Sequence, residues 1–229
     1  MNSPPVTASR LRRLARGAAA EGTPRAPAAA PDGERCDLCA QPVADEHRHL
    51  LELGTATVCC ACTACSLLFD DAGAGGNRYR LLPGRRSRLE GCVIDDLAWA
   101  GLGVPVDLAF FSRSRDAGEI RAAYPSPLGL MRSSVSPRDW ARIEAAHPAV
   151  AAMDDDVEAL LAHRSRADGR EPGYWIVPLD DCYRLSALVR AHWKGLGGGP
   201  EVWQRIDGFF DTLATEPSFD PKEASWVSP

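Results

Sequence analysis

Residues 59–65 read CCACTAC and residues 36–39 read CDLC, so six of the eight cysteines fall within the thirty positions from Cys36 to Cys65. A C-x2-C pair lets both sulfurs of one tight loop reach a single ion, and two such loops complete a tetrahedral site. Cys36 and Cys39 supply the first pair. The second pair has two registers: Cys62 with Cys65 follows after 22 intervening residues and Cys59 with Cys62 after 19. The usual zinc-ribbon spacing of about 15–20 residues leans to the second. Two local arguments favour Cys62 and Cys65. Alternation along the preceding strand leaves Cys60 and Cys62 on one face, and Thr63-Ala64 can supply the turn that a knuckle needs. The predicted ligands are therefore Cys36, Cys39, Cys62 and Cys65, with Cys60 and Cys59 as alternates.

One ion takes four ligands, so cysteines are left over. They read as small buried hydrophobes, or else as a swapped ligand, a redox thiol or a second metal. Cys60 is the better candidate for such a role because the CAC spacing keeps it close to Cys62. His47 and His49 are further possible ligands, but flanked by Glu46 and Arg48 on a strand they read as exposed. Four thiolates serve Zn2+ and mononuclear Fe alike. Ala40 and Ser66 follow the two pairs and neither pair contains proline, which favours Zn2+ over a rubredoxin-like Fe. The C-x2-C-x2-C-x3-C and C-x4-C-x2-C runs of iron–sulfur proteins do not occur.

Around this module the chain reads as α+β: a small rubredoxin-like or zinc-ribbon knuckle followed by a mixed α+β domain. Residues 1–33, rich in Ala, Pro, Arg and Ser, read as a tail, 34–71 as the cysteine module, 78–216 as the α+β domain and 217–229 as a second tail. HLLEL and TATVC flank Gly54 as a hairpin. ACSLLFDD begins a helix or strand, and Ala72–Asn77 reads as a linker or turn. RYRLL and EGCVI read as strands, DDLAWAGLG as a short helix, and VDLAFFSRS and EIRAAYPS as a hairpin closed by DAG. Ser136-Pro137-Arg138-Asp139 opens a helix, with Ser136 as its cap and Pro137 where a missing N–H costs nothing. Asp154–His163 reads as another helix with an acidic first turn. YWIVPL is a strand leading into a helix from about Asp181 to Trp193. Pro200-Glu201 opens the last helix, with Val202, Trp203, Ile206, Phe209 and Phe210 on one face.

Composition narrows the function classes. The net charge of −5 gives no global electrostatic case for nucleic acid. Arg78, Arg80, Arg85, Arg86 and Arg88 form a local basic run, which with a zinc ribbon keeps a nucleic-acid-binding protein as one alternative. No apolar run reaches the roughly 20 residues of a membrane span, and no apolar core follows the first arginines as a secretory signal requires. The expected location is cytoplasmic, where thiols stay reduced. Cys182, in VPLDDCYRL, sits at a helix N-terminus that stabilises a thiolate, and a cysteine-dependent enzyme using it is the other alternative. His192 is nearly three helical turns away, and Asp180 and Asp181 oppose ionisation. The competing reading has an aspartate capping the helix and Cys182 in the core.

CDLC, HRHLLEL, CCACTACSLLFD, GGNRYRLLP, FFSRS, YPSPLG, WIVPLDDCYRL and HWKGLGGG with the following VW are together similar to an uncharacterised bacterial domain family encoded beside nickel–iron hydrogenase genes. The resemblance spans about Cys36 to Phe210. The family pattern CAC-x2-C matches Cys60, Cys62 and Cys65, and Cys59 is the departure. The resemblance implies a setting, hydrogenase assembly or its electron transfer, and no reaction. The resulting expectation is a metal-binding accessory protein, read as a binding protein ahead of an enzyme, whose partner is a protein such as a hydrogenase or one of its maturation factors.

Overall fold

A computed structural model describes residues 33–116, 118–164 and 171–215. Apart from Gly33, the two tails expected from sequence lie outside the described residues. The fold is mixed α+β, built on two antiparallel sheets.

The smaller sheet has the order β2-β1-β3, formed by β1 (Arg48–Glu52), β2 (Thr57–Ala61) and β3 (Tyr79–Leu81). The expected hairpin about Gly54 is present, with Leu50 opposite Cys59 and His49 opposite Cys60. Side chains alternate across a strand, and the two faces of this hairpin meet different neighbours. Leu50 and Ala61 join Cys36 and Cys65 in one small buried cluster. Leu51, with Val58 beside it, joins the main core instead. Helix α1 (Thr63–Asp70) follows β2 directly. The expected linker then folds into one short helix, α2 (Ala72–Gly75), capped by the Asp71 carboxylate.

The larger sheet runs β4-β9-β8-β5-β6-β7: β4 (Ser87–Arg88), β5 (Leu108–Arg113), β6 (Ile120–Ser126), β7 (Gly129–Ser134), β8 (Glu158–His163) and β9 (Gly173–Pro178). Its central strands are apolar on both faces. Phe110, Leu161, Trp175 and Val177 pack with α6 (Leu179–His192) and α7 (Gly199–Thr215) through Leu185, Val189, Ile206 and Phe210. Ala109, Phe111, Leu160 and Ile176 face the other way. They meet Trp99 of α3 (Asp96–Gly101), Trp140 and Ile143 of α4 (Pro137–Ala146) and Val150 of α5 (Pro148–Ala151). A sheet covered by helices on both sides needs near-continuous apolar strands rather than alternating ones. LAFF and YWIV have that character, although here the pairing is antiparallel.

The same requirement overturns the helix expected over Asp154–His163. Residues 158–163 form β8, buried along its whole length between β5 and β9. Glu, Ala and Leu favour helix locally, but propensity spans under about 1 kcal/mol per residue, less than what burying each Leu on two apolar layers contributes. EGCVI is not a strand. It turns at Gly91, which adopts the left-handed φ of 69° open to glycine, and Ile94 packs into the core from that loop. Ser136 is the N-cap residue of α4 with Pro137 next, but its hydroxyl makes no capping bond. Trp203 stands 39 % exposed, off the buried face of α7.

Candidate metal centre

The first cysteine pair lies on a tight loop. Arg35 bridges to Pro42, the Cys36 N–H donates to the Gln41 carbonyl (2.8 Å), and the Ala40 N–H donates to the Cys36 carbonyl (2.8 Å). Ala40 takes a left-handed φ of 60° to close the turn. The loop is tied to β2 at Cys60, whose N–H donates to Asp37 Oδ2 at 2.7 Å while the Asp37 N–H donates to the Cys60 carbonyl at 2.9 Å.

The second pair comes from the end of β2. The strand stops at Ala61 and Cys62 becomes the N-cap of α1, its sulfur accepting the Cys65 N–H at 3.5 Å. The alternation expected to keep Cys60 and Cys62 on one face is thereby broken, and Cys60 parts from Cys62. The sulfurs of Cys36, Cys39, Cys62 and Cys65 lie within 4.8 Å of one another, and Cys39 and Cys62 are 3.7 Å apart. Tetrahedral bonds of about 2.3 Å to zinc require sulfur–sulfur edges of about 3.8 Å. The four therefore stand close enough to hold a metal ion.

The electrostatics fit a cation. Burial works against ionising Cys36, but N–H groups of Cys62, Leu38 and Cys39 donate to its sulfur and hold the thiol down at about 6. Cys65 moves the opposite way: burial and the neighbouring sulfurs of Cys39, Cys62 and Cys36 push it above the ordinary thiol range. Crowded sulfurs cannot all carry negative charge unless a positive ion sits among them.

The remaining candidates separate cleanly. Cys59 belongs to neither metal-competent group among the described residues, and its thiol is pushed up by burial and by the Asp37 charge. Cys60 falls with His47 and His49. The histidines are not the exposed pair expected: their side chains are 7 % and 30 % exposed. What hid this was Asp180, 131 residues along the chain, which accepts a 2.8 Å hydrogen bond from His49 Nδ1.

Cys182 is fully buried, and burial, Asp181 and Asp180 together raise its thiol well above the ordinary value. That is the packed reading of Cys182, with no activated thiolate. Neither aspartate caps α6; the helix starts at Leu179 after Pro178. Asp181 instead accepts from Arg86 and Arg184. The basic run is similarly consumed within the fold. Arg78 pairs with Glu52, Arg80 with Asp156, Arg85 with Glu158, Arg86 with Asp181 and Arg88 with Glu90. Among the described residues no helix is long and apolar enough to cross a membrane.

No curated protein and no solved structure matches the chain. A family model does match, over residues 35–217, which takes in both sheets and both cysteine pairs. The chain belongs to DUF5947, a family of unknown function.

Proposed function

We propose that this protein is a metal-binding accessory protein in which the thiolates of Cys36, Cys39, Cys62 and Cys65 hold one Zn2+, with Fe as the alternative ion. One observation carries the reading: four sulfurs from two separate loops within 4.8 Å of one another. The ion's role is to fold the knuckle, since small modules of this kind draw their folding free energy from the metal. The residues following the pairs favour zinc; were the ion Fe, the exposed Cys39 would give a one-electron centre a contact with solvent and partner.

The α+β domain is read as the part that meets a protein partner in the cytoplasm. The support is apolar surface: Val93 and Leu97 of that domain are 74 % and 82 % exposed, and on the adjoining cysteine module Leu67 and Leu68 of α1 are 47 % and 54 % exposed. The partner setting, nickel–iron hydrogenase assembly or its electron transfer, rests on the sequence resemblance alone. Ion pairing of the arginine run and burial of Cys182 leave the nucleic-acid and thiol-enzyme readings without a supporting observation.

Elemental analysis and a visible spectrum on protein purified from its native cells test the reading, with co-purifying proteins identified from the same sample. Colourless protein carrying zinc, one equivalent of which is lost in Cys62→Ser, supports it. Reduced, folded protein whose metal content is unchanged by Cys36→Ser and Cys62→Ser would overturn it.

A further inference from the structure

The surplus cysteine and the two histidines are gathered by strand geometry. His47 and His49 lie two residues apart and share one face of the chain entering β1, and Cys60 is directly opposite His49 across the β1–β2 ladder. One ligand atom from each lies within 4.8 Å of the others. This face is not the one that carries Leu50 and Ala61 into the cluster with Cys36 and Cys65. It is the face of Leu51, which packs into the main core.

In both rings Nδ1 is turned to an oxygen acceptor. His47 Nδ1 lies 2.9 Å from the Ala44 carbonyl, which can only accept, so Nδ1 carries the hydrogen and Nε2 presents its lone pair. That Nε2 is buried without a hydrogen-bond partner; the nearby Glu34 carboxylate, at 3.6 Å, is too distant for one. His49 Nδ1–H donates to Asp180 Oδ2 at 2.8 Å, which leaves its Nε2 free as well. A carbonyl or carboxylate behind each imidazole is how metal-bound histidines are held, fixing the tautomer and raising ring basicity. A buried acceptor nitrogen with nothing to accept is the mark of a missing partner.

We infer that His47, His49 and Cys60 form a second metal site for a borderline-soft divalent cation of the Zn2+ class, oriented by Ala44 and Asp180. Two imidazoles and one thiolate match that class. Three protein donors leave a fourth position, and Glu34 stands at its edge. A four-thiolate ion is closed and structural; a three-donor ion accepts an outside ligand. The site ties the hairpin to the first turn of α6 through Asp180, so its occupancy acts where the two sheets' elements meet.

The test is metal-free, reduced full-length protein titrated with Zn2+ alone and, separately, with Co2+ as a spectroscopic probe. Two equivalents are expected in the wild type and one in His47→Gln and in Cys60→Ser. Asp180→Asn should keep two equivalents, with the second weakened about ten- to hundredfold, the usual effect of removing a group that orients a ligand. Far-UV circular dichroism and the retained four-thiolate Co2+ band report that each variant is folded. Should a variant lose both ions, alkylation of Cys60 in the wild type decides: the second Zn2+ equivalent must slow it at least tenfold. Binding of a single equivalent by the wild type, two equivalents in His47→Gln, or unchanged Cys60 alkylation overturns the inference. Because Cys36→Ser removes only the other ion, failure here is distinguishable from failure of the four-cysteine reading.

Discussion

Arg85 grips Glu158 at two points: Nε and Nη2 donate to Oε1 at 3.0 and 2.8 Å, and Nη2 also reaches Oε2 at 2.8 Å. The Glu158 side chain is completely buried, at the first position of β8, and its Oε2 also accepts the Asp154 N–H at 2.8 Å. A carboxylate in the sheet interior is tolerated because its acceptors are filled. Arg85→Ala should therefore destabilise the fold. Removing one partner of a buried pair costs about 3–5 kcal/mol. The lower end is expected, because Arg85 is 43 % exposed and water can take up part of its role. Chemical denaturation with the slope held constant measures it; a loss below about 0.5 kcal/mol, the range of an ordinary surface substitution, would refute the pairing.

Removing the metal should act unevenly across the molecule. The tryptophans among the described residues, Trp99, Trp140, Trp175, Trp193 and Trp203, all lie beyond the cysteine module. Treatment with strong chelator, or Cys62→Ser, is expected to release the ion and make the loop around Cys36 sensitive to protease. The tryptophan emission of the six-stranded core should change little. Equal protease resistance with and without the ion would show that the knuckle does not depend on it.

Thiol reactivity separates the cysteines. Burial raises Cys92 to about 11, so at pH 8 about one molecule in a thousand carries its thiolate. Cys182 is raised well above the ordinary thiol value, by burial and then by Asp181 and Asp180, and it is buried where Cys92 is half-buried. Iodoacetamide at pH 8 should leave both unmodified in the folded protein, with Cys92 reacting first as the pH is raised. Peptide mapping by mass spectrometry reads this out. Rapid alkylation of Cys182 in native protein would revive it as a nucleophile.

Retention on heparin should be weak and insensitive to Arg88→Gln, since every arginine of the run at 78–88 has an acidic partner. Strong retention that falls with Arg88→Gln would mean that these pairs open to bind phosphate.

Much of the fold could be read locally. The C-x2-C pairs, the turn at Gly54, Pro137 with Asp139 at a helix start and the apolar face of α7 rest on contacts between residues a few positions apart. Short-range geometry is what a sequence states most directly. β8 could not be read so. Its acidic start and its Ala and Leu look helical until β5 and β9 supply hydrogen bonds and two apolar layers enclose it.

The cysteine spacing by itself showed that two C-x2-C pairs could meet on one ion, because each pair closes within a single turn of chain, and it left Cys59 and Cys65 as rival partners of Cys62. It could not place His47, His49 and Cys60. Their meeting depends on the β1–β2 register and on Asp180, 131 residues from His49. Loop geometry is a property of neighbours along the chain, whereas the protonated nitrogen and direction of an imidazole are set by whatever the folded molecule brings against it.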